Sequence, residues 1–253
     1  MSPSGRSDST GASVSVALAE HCYFCFQVIL AELRGEPEPE QLPFPDAGQE
    51  YPLFVTWNIH ATDSLTGTPR LRGCIGTFEP YPLATGLSEY AAISAFKDGR
   101  FAPIALREVP RLECGVSLLT GFEECQDYLD WDVGTHGIYI HLPNPVLAPR
   151  PTDETASSSS SSGSSTPAAN GRSATPRRAS SSHMLTATYL PDVIPDQGWT
   201  KQEAIDSAIR KAGYNGKITE PIRRSLRVRR YRSEKVARHY AHFVQWQQQQ
   251  QQQ

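Results

Sequence analysis

The chain of 253 residues carries 24 Lys plus Arg against 27 Asp plus Glu, a formal charge of −3, and 38% of its residues are apolar. Near-neutrality speaks against a strongly basic nucleic-acid binder on whole-chain charge, and no stretch approaches the ~20 apolar residues that a membrane-spanning helix needs. Five scattered cysteines do not read as a disulfide framework, and the Ser-rich start with Arg6 beside Asp8 does not read as a secretory signal, so the expected setting is an intracellular, reducing one.

In chain order, Ala17 to Leu33 predicts a deeply buried helix, with Leu18, Cys22, Cys25, Phe26, Ile29 and Leu33 at three- and four-residue spacings. Gly35 and the prolines from Pro37 to Pro45 end it. Leu53, Val55, Trp57 and Ile59 alternate with Phe54, Thr56 and Asn58 as in a strand. A turn from Asp63 to Pro69 leads to Leu71-Arg-Gly-Cys-Ile-Gly76, which would complete a hairpin. Leu87 to Lys97 predicts a helix stopped by Asp98-Gly99, and Cys114 to Leu119 and Gly137 to Leu142 predict two more strands. Order resumes at Leu185 to Leu190. Thr200-Lys-Gln-Glu203 is a capping box opening a helix whose apolar face is Ala204, Ile205, Ala208, Ile209 and Ala212, with Gly213 as its stop. Ser225 to Tyr231 predicts a strand, and a last helix is expected from about Ser233, burying Val236, Tyr240, Phe243 and Val244. Helices and strands mix without a repeating βαβ rhythm, which places the chain in the mixed α/β (α+β) class.

Two polar regions stand outside this pattern. Residues 143–184, rich in Ser, Pro and Arg, contain an unbroken serine run from Ser157 to Ser162 and cannot offset the entropy of ordering. They are expected to form a disordered insert between two strands that would otherwise make a hairpin. Within it, Arg177-Arg178-Ala179-Ser180 and Thr175-Pro176 resemble kinase sites. The other regions expected to lie outside the ordered part are a leader, residues 1–16, and a polyglutamine tail, residues 247–253. The domain proper is therefore read as residues 17–246.

Charge is unevenly spread. Residues 20–142 hold 7 Lys plus Arg against 18 Asp plus Glu, a net of −11, whereas residues 185–253 hold 12 against 6, a net of +6. The dense basic strip Arg223, Arg224, Arg227, Arg229, Arg230, Arg232 and Lys235 could contact phosphates, RNA or an acidic protein. It could equally answer the acidic part of the same molecule.

Among candidate chemical groups, Cys22-x-x-Cys25 lies within an apolar helix with no strand before it and no second pair for zinc, so it reads as two core cysteines. Gly73 and Gly76 flank one thiol, Cys74, and allow unusual backbone angles or close approach of a ligand; the alternative is a small buried residue in a strand beside a turn. Arg72 stands beside it. Lys97-Asp98-Gly99-Arg100-Phe101 sets opposite charges at a turn. His136, near Gly134 and Gly137, could serve as a general base to Cys74 with Asp98 or Asp132 orienting it; its alternative is a turn histidine bonded to backbone. No phosphate-binding loop, dinucleotide fingerprint or metal-ligand pair occurs, so neither a cofactor nor a metal is expected.

Seven motifs then fall in the order seen in the AMMECR family, which the chain resembles from about residue 17 to 246, the insert excepted. They are Leu71-Arg-Gly-Cys-Ile-Gly-Thr77, Lys97-Asp-Gly-Arg-Phe101, Val116-Ser-Leu-Leu-Thr120, Asp130-Trp-Asp-Val-Gly-Thr-His-Gly-Ile138, Thr188-Tyr-Leu-Pro191, Gln197-Gly-Trp199 and Arg230-Tyr-Arg-Ser233. The family name comes from the Alport syndrome, midface hypoplasia, intellectual disability and elliptocytosis chromosomal region. The resemblance implies a fold of two subdomains around a cleft lined by the Leu71–Gly76 segment, and a nuclear or cytoplasmic location. The chain departs from the family in its insert, its glutamine tail and Gly99. On this footing Cys74 and His136 are the candidate catalytic residues. Arg72, Gly73, Gly76, Asp98 and Arg100 are the candidate ligand-binding residues. Two functions are expected as rivals: an enzyme or enzyme subunit using a cleft thiol on a small or nucleotide-derived molecule, and a non-catalytic regulatory or protein- or RNA-binding module.

Overall fold

The computed structural model describes residues 15–37, 47–61, 68–144 and 183–252. Most of the leader, most of the insert with its kinase-like motifs, and the centre of the turn after Ile59 lie outside the described residues. Contacts divide the chain into two units: Met1–Phe122 with Tyr231–Gln253, and Glu123–Arg230. Helices and strands mix as expected, and the strands β1 (Glu50–Ile59), β2 (Arg70–Pro82), β3 (Leu112–Glu124), β4 (Gly137–Pro143), β5 (Met184–Tyr189) and β6 (Arg227–His239) lie in the order β2-β1-β3-β6-β4-β5. Strands β3 (Leu112–Glu124) and β6 (Arg227–His239) each begin in one unit and end in the other.

The first unit is built on helix α1 (Ala19–Arg34), which has ten buried residues. Such a helix is apolar nearly all round because it has neighbours on several sides. Gly35 ends it in the left-handed region, φ 66°, returning its N–H to the last turn as a residue with a Cβ would do only under strain. β1 (Glu50–Ile59) pairs antiparallel with β2 (Arg70–Pro82) and with β3. Leu53, Val55, Trp57 and Ile59 of β1 meet Leu112, Cys114, Val116 and Leu118 of β3 in one apolar core. Helix α2 (Leu83–Phe96) adds Leu83, Leu87, Ala91 and Ala95 to it. α2 starts four residues before the expected Leu87, as soon as Pro82 ends the strand. Phe26 sits at the centre, with ring centroids 5.2 Å from Trp57 and 5.4 Å from Phe243. Each such aromatic pair adds about 0.5–1.5 kcal/mol beyond its burial.

The expected last helix is corrected by the structure. β6 runs on to His239, and helix α6 begins only at Tyr240. Val236 is a strand residue that happens to fall at helical spacing from Tyr240 and Phe243, and all three pack against the same core. α6 (Tyr240–Gln250) carries on into the glutamine run.

The second unit has its own core. β4 (Gly137–Pro143) pairs antiparallel with β5 (Met184–Tyr189), the two strands that flank the insert. Ile138, Ile140 and Leu142 of β4 pack with Trp131, Leu185 and Ala187. They also pack with Ala204, Ile205, Ala208 and Ile209 of α4 (Lys201–Lys211). The capping box forms as expected: Thr200 Oγ1 accepts the Glu203 N–H at 3.3 Å and Glu203 accepts the Thr200 N–H at 2.8 Å. Gly213, φ 102°, follows the helix end. Three short helices carry too few apolar positions to show a period: the 3-10 helix Leu106–Arg111, α3 (Val193–Asp196) and α5 (Glu220–Arg224).

Candidate functional site

β1 fixes where Cys74 points. Its core residues alternate with Phe54, Thr56 and Asn58, which face the other side of the sheet. Thr56 is opposite Cys74 in register, and its hydroxyl donates to Sγ at 3.1 Å. Cys74 therefore lies on the sheet face opposite α1, half-buried. The register jumps from Trp57–Gly73 to Asn58–Leu71, leaving Arg72 as the extra residue of a bulge. A bulge re-aims one side chain. Here the Arg72 guanidinium turns to the Glu108 carboxylate at 2.9 and 3.1 Å and to the carbonyls of Ala102 and Pro103.

The glycines have separate reasons. A Cβ on Gly73 would strike the backbone oxygen of Ser94, so glycine lets β2 lie directly on α2. A Cβ on Gly76 would strike the backbone of Leu53 and Phe54. Both are therefore required by close backbone approach.

α2 delivers the rest. Just past its end, Asp98 Oδ2 accepts the Cys74 N–H at 3.0 Å, while the Arg100 guanidinium donates to the Cys74 carbonyl at 3.0 Å. β2 is an edge strand, and the Asp98–Arg100 pair satisfies at Cys74 what a further strand would have satisfied. The two side chains are joined at 2.6 Å and again at 2.9 Å. Asp98 is 5% exposed. Hydrogen bonds from the Arg100 guanidinium hold its carboxyl far below the usual carboxylate range, against the opposing effect of burial, and the Cys74 and Arg100 N–H groups add to the lowering. Arg100 is raised in turn, first by Asp98, with the negative charge of Cys74 contributing.

Sequence reading missed several neighbours on this face. Tyr231 of β6 stacks on Phe122 at 5.0 Å and meets Phe78 at 6.1 Å; Phe78 meets Phe54 at 5.0 Å. This makes an aromatic wall beside Gly76. Two further residues along β6 stands Ser233, and two beyond it Lys235. The strand alternation of β1 was a sufficient signal for Thr56 and Phe54. The basic strip marked Lys235 as a cation, but not its place on this face, because its segment reads as helix.

His136 lies in the second unit, 9% exposed. Its Nδ1 accepts the Asp132 N–H at 3.0 Å, closing a turn in which the His136 N–H returns to the Asp132 carbonyl and Gly134 takes φ 78°. A ring nitrogen that accepts a backbone N–H carries no proton, so the neutral ring has its proton on Nε2. The backbone-bonded turn histidine is thus what forms. The Asp132 carboxylate stands 3.8 Å from His136 Nδ1 and 3.5 Å from Lys201 Nζ.

Five of the seven residues of the basic strip find acids inside the second unit. Arg223 bridges Asp206 at 2.7 Å, Arg224 bridges Glu220, Arg227 and Arg229 both lie on Glu124, and Arg230 bridges Glu123 and Asp130 at 2.8 Å. Cys22 and Cys25 are fully buried, as read from their helix, and Cys114 joins them in the core. Burial raises the Cys114 thiol well above the usual range, as do its contacts with Cys22 and Cys25. Among the described residues no group of three His, Cys, Asp or Glu side chains is arranged to hold a metal, and no helix is long and apolar enough to cross a membrane.

The sequence profile of the AMMECR1 family matches residues 22–155 and 178–236. The chain belongs to the AMMECR1 family. It is 40% identical over 227 residues to an uncharacterised protein of Arabidopsis thaliana, covering 89% of this chain and 86% of that one. It is 34% identical to an uncharacterised protein of Schizosaccharomyces pombe, covering 89% and 94%. The crystal structure of an uncharacterised protein from Pyrococcus horikoshii superposes with a TM-score of 0.55 at 22% identity, over 86% of this chain and 89% of that one, and shares the fold. Both stretches of the AMMECR1 match contribute to the Cys74 face: Cys74, Asp98 and Arg100 come from the first, Tyr231, Ser233 and Lys235 from the second.

Proposed function

We propose that this AMMECR1-family chain is an enzyme or enzyme subunit acting on a small or nucleotide-derived molecule, with Cys74 as its nucleophile. The observation that carries the reading is the treatment of one residue. The Cys74 sulfur accepts a hydroxyl at 3.1 Å while its N–H and carbonyl are held by Asp98 and Arg100. A backbone fixed on both sides aims the side chain, and fixed aim is what a nucleophile needs. A hydroxyl donated to sulfur is also a bond that a thiolate accepts more strongly than a thiol. In the reaction, the thiol proton leaves to solvent, the sulfur lone pair bonds the electrophilic centre, and the departing group takes the electrons of its broken bond. Gly73 and Gly76 shape the strand for this site, and Arg72, locked to Glu108, holds the bulge that precedes it.

The rival reading is a module that docks an acidic protein or RNA through Arg227 and Arg229. It has less support, because both guanidiniums lie on Glu124. The deciding experiment is native purification with mass spectrometry of co-purifying small molecules and of the Cys74 peptide, repeated with Cys74→Ser. A small molecule or a covalent adduct present with the wild-type chain and lost in the variant is expected. Identical profiles, together with full rescue of a deletion strain by Cys74→Ser, would overturn the nucleophile.

A further inference from the structure

Arg72 and Arg100 were the cations expected to bind an anionic group, and both guanidiniums are filled by Glu108, Asp98 and backbone carbonyls. A third cation, Lys235, stands on the face of the sheet where the thiol lies. Cys74 on β2 is paired with Thr56 on β1, and Thr56 with Gly115 on β3. Gly115 in turn lies against β6, where a Cβ built on it would stand 3.9 Å from the Val236 carbonyl. The row of side chains crossing the sheet at Cys74 thus has a gap at Gly115, and the β6 segment bordering that gap is the one that carries Lys235 and Val236. On β6 the core side is taken by Val236 and by Glu234, which accepts the Val16 N–H at 2.8 Å. Alternation therefore puts Tyr231, Ser233 and Lys235 on the face of Thr56 and Cys74. Desolvation lowers the Lys235 ammonium from the usual lysine range, and the negative charge of Cys74 pulls it back up, so the two groups feel one another.

Ser233 supplies an independent observation. Its hydroxyl oxygen is buried and makes no hydrogen bond among the described residues. Burying a hydroxyl without a partner is unfavourable, and such a group marks a place where an acceptor or donor belongs. It stands on the same face as Lys235, two residues away.

We infer that Lys235, reaching across the gap left by Gly115 and assisted by the Ser233 hydroxyl, binds the oxyanion of the substrate, so that the Cys74 site takes a small molecule carrying a carboxylate or phosphate beside its electrophilic centre. This rests on the reading of Cys74 as nucleophile. The aromatic wall of Phe54, Phe78 and Tyr231 borders the apolar side of the same face. The electrophile then lies between an ammonium and an apolar surface, and the anion sets its direction.

Two thiol reagents of nearly equal shape test this. Iodoacetate carries a carboxylate and iodoacetamide does not, and both alkylate sulfur with loss of iodide. The ratio of their rates at Cys74 cancels any change in thiol ionisation, because both reagents need the same thiolate. Peptide mass spectrometry follows Cys74 and Cys125 in one sample. Cys125 is half-buried and serves as internal reference. The wild-type ratio at Cys74 should exceed that at Cys125 roughly fivefold, as one unit charge a few ångströms away provides in water. Lys235→Met should remove the excess and Lys235→Arg should keep most of it. Gly115→Val, which fills the gap, should remove it too, with the thermal melt reporting that the variant is folded. An unchanged ratio in Lys235→Met, with both reagents still labelling Cys74, overturns the anion site and leaves the nucleophile standing. Failure of both reagents to label Cys74 in the folded wild-type chain overturns the nucleophile and this inference with it.

Discussion

Gly73 and Gly115 both lie in the sheet of the first unit, and they do different jobs. At Gly73 the obstacle to a side chain is the carbonyl oxygen of Ser94, with its carbon 3.1 Å from the same point. Backbone of a buried helix cannot swing aside as a side-chain tip can. At Gly115 the nearest atoms stand 3.7 to 3.9 Å away, ordinary contact distances. Gly73→Ala should therefore cost about 1–3 kcal/mol, the usual range for overpacking, and at the upper end of it. Gly115→Ala should leave stability unchanged or raise it by up to about 1 kcal/mol, as expected for an unstrained glycine replaced in a strand. Urea unfolding of the two variants side by side checks this. Equal losses would mean that β2 can move off α2, and that the close approach at Gly73 does not hold Cys74 in place.

Helix α6 shows how one element can hide its neighbour in the sequence. Val236, Tyr240, Phe243 and Val244 have helical spacing, but Val236 is strand and the others helix, and both sides of the junction face one core. Periodicity cannot mark a boundary across which the buried side stays in phase. α1, β1, β4 and the Thr200 capping box were legible because each has its own period or its own terminal chemistry. The Leu71–Gly76 and Asp98–Arg100 segments were each legible as local motifs, but not their meeting, since Asp98 lies 24 residues from Cys74. Which arginines are already occupied was not legible either, since Glu108 lies 36 residues from Arg72. Lys235 was legible as a member of the basic strip but not as a strand residue.

The junction itself is held by a histidine. His239 caps α6, its Nδ1 accepting the Ala241 N–H at 3.2 Å. Protonation converts that acceptor into a donor and removes the cap. Desolvation lowers the His239 pKa, His60 and His242 lower it further, and Glu113 opposes them. The His60 ring is 5.2 Å away, and Arg111 holds the His60 carbonyl. Because the folded pKa is depressed, the unfolded chain takes up the proton first. The cap's contribution is whole above the unfolded value of ~6.5 and declines as pH falls below it. Replacing His239 by Asn keeps a cap that does not titrate in this range, worth about 1 kcal/mol. Urea midpoints measured from pH 7.5 to 5 should fall less steeply for His239→Asn than for the wild-type chain. Parallel curves would remove His239 from the pH dependence.

At the scale of the molecule, the two cores differ in how the chain supplies them. The second is drawn from one continuous stretch, Glu123–Arg230, whereas the first joins Met1–Phe122 to Tyr231–Gln253. Both ends of the continuous stretch are tied together within it. The Cys125 N–H bonds the Val228 carbonyl at 2.8 Å, and Arg230 bridges Glu123 and Asp130. The acidic and basic parts of the sequence thus meet partly at this closure, where Arg227, Arg229 and Arg230 stand close to carboxylates about a hundred residues before them. The described part of the first stretch takes partners from the end of the chain instead. Phe26 and Tyr23 of α1 stack on Phe243 and Trp246 of α6, which come after the second unit has been completed. A polypeptide of residues 123–230 should therefore melt cooperatively and protect its β4–β5 amides from hydrogen exchange. One of residues 1–122 should not, because α1 would expose the aromatic face that α6 covers, and burial of large side chains is worth about 1.5–3 kcal/mol each. Adding a peptide of residues 231–253 to the 1–122 polypeptide should restore protection in β1 and β3. Protection in residues 1–122 alone would show that α6 is an accessory to the first core; none even with the peptide would show that this unit closes only when the chain between its two parts is intact.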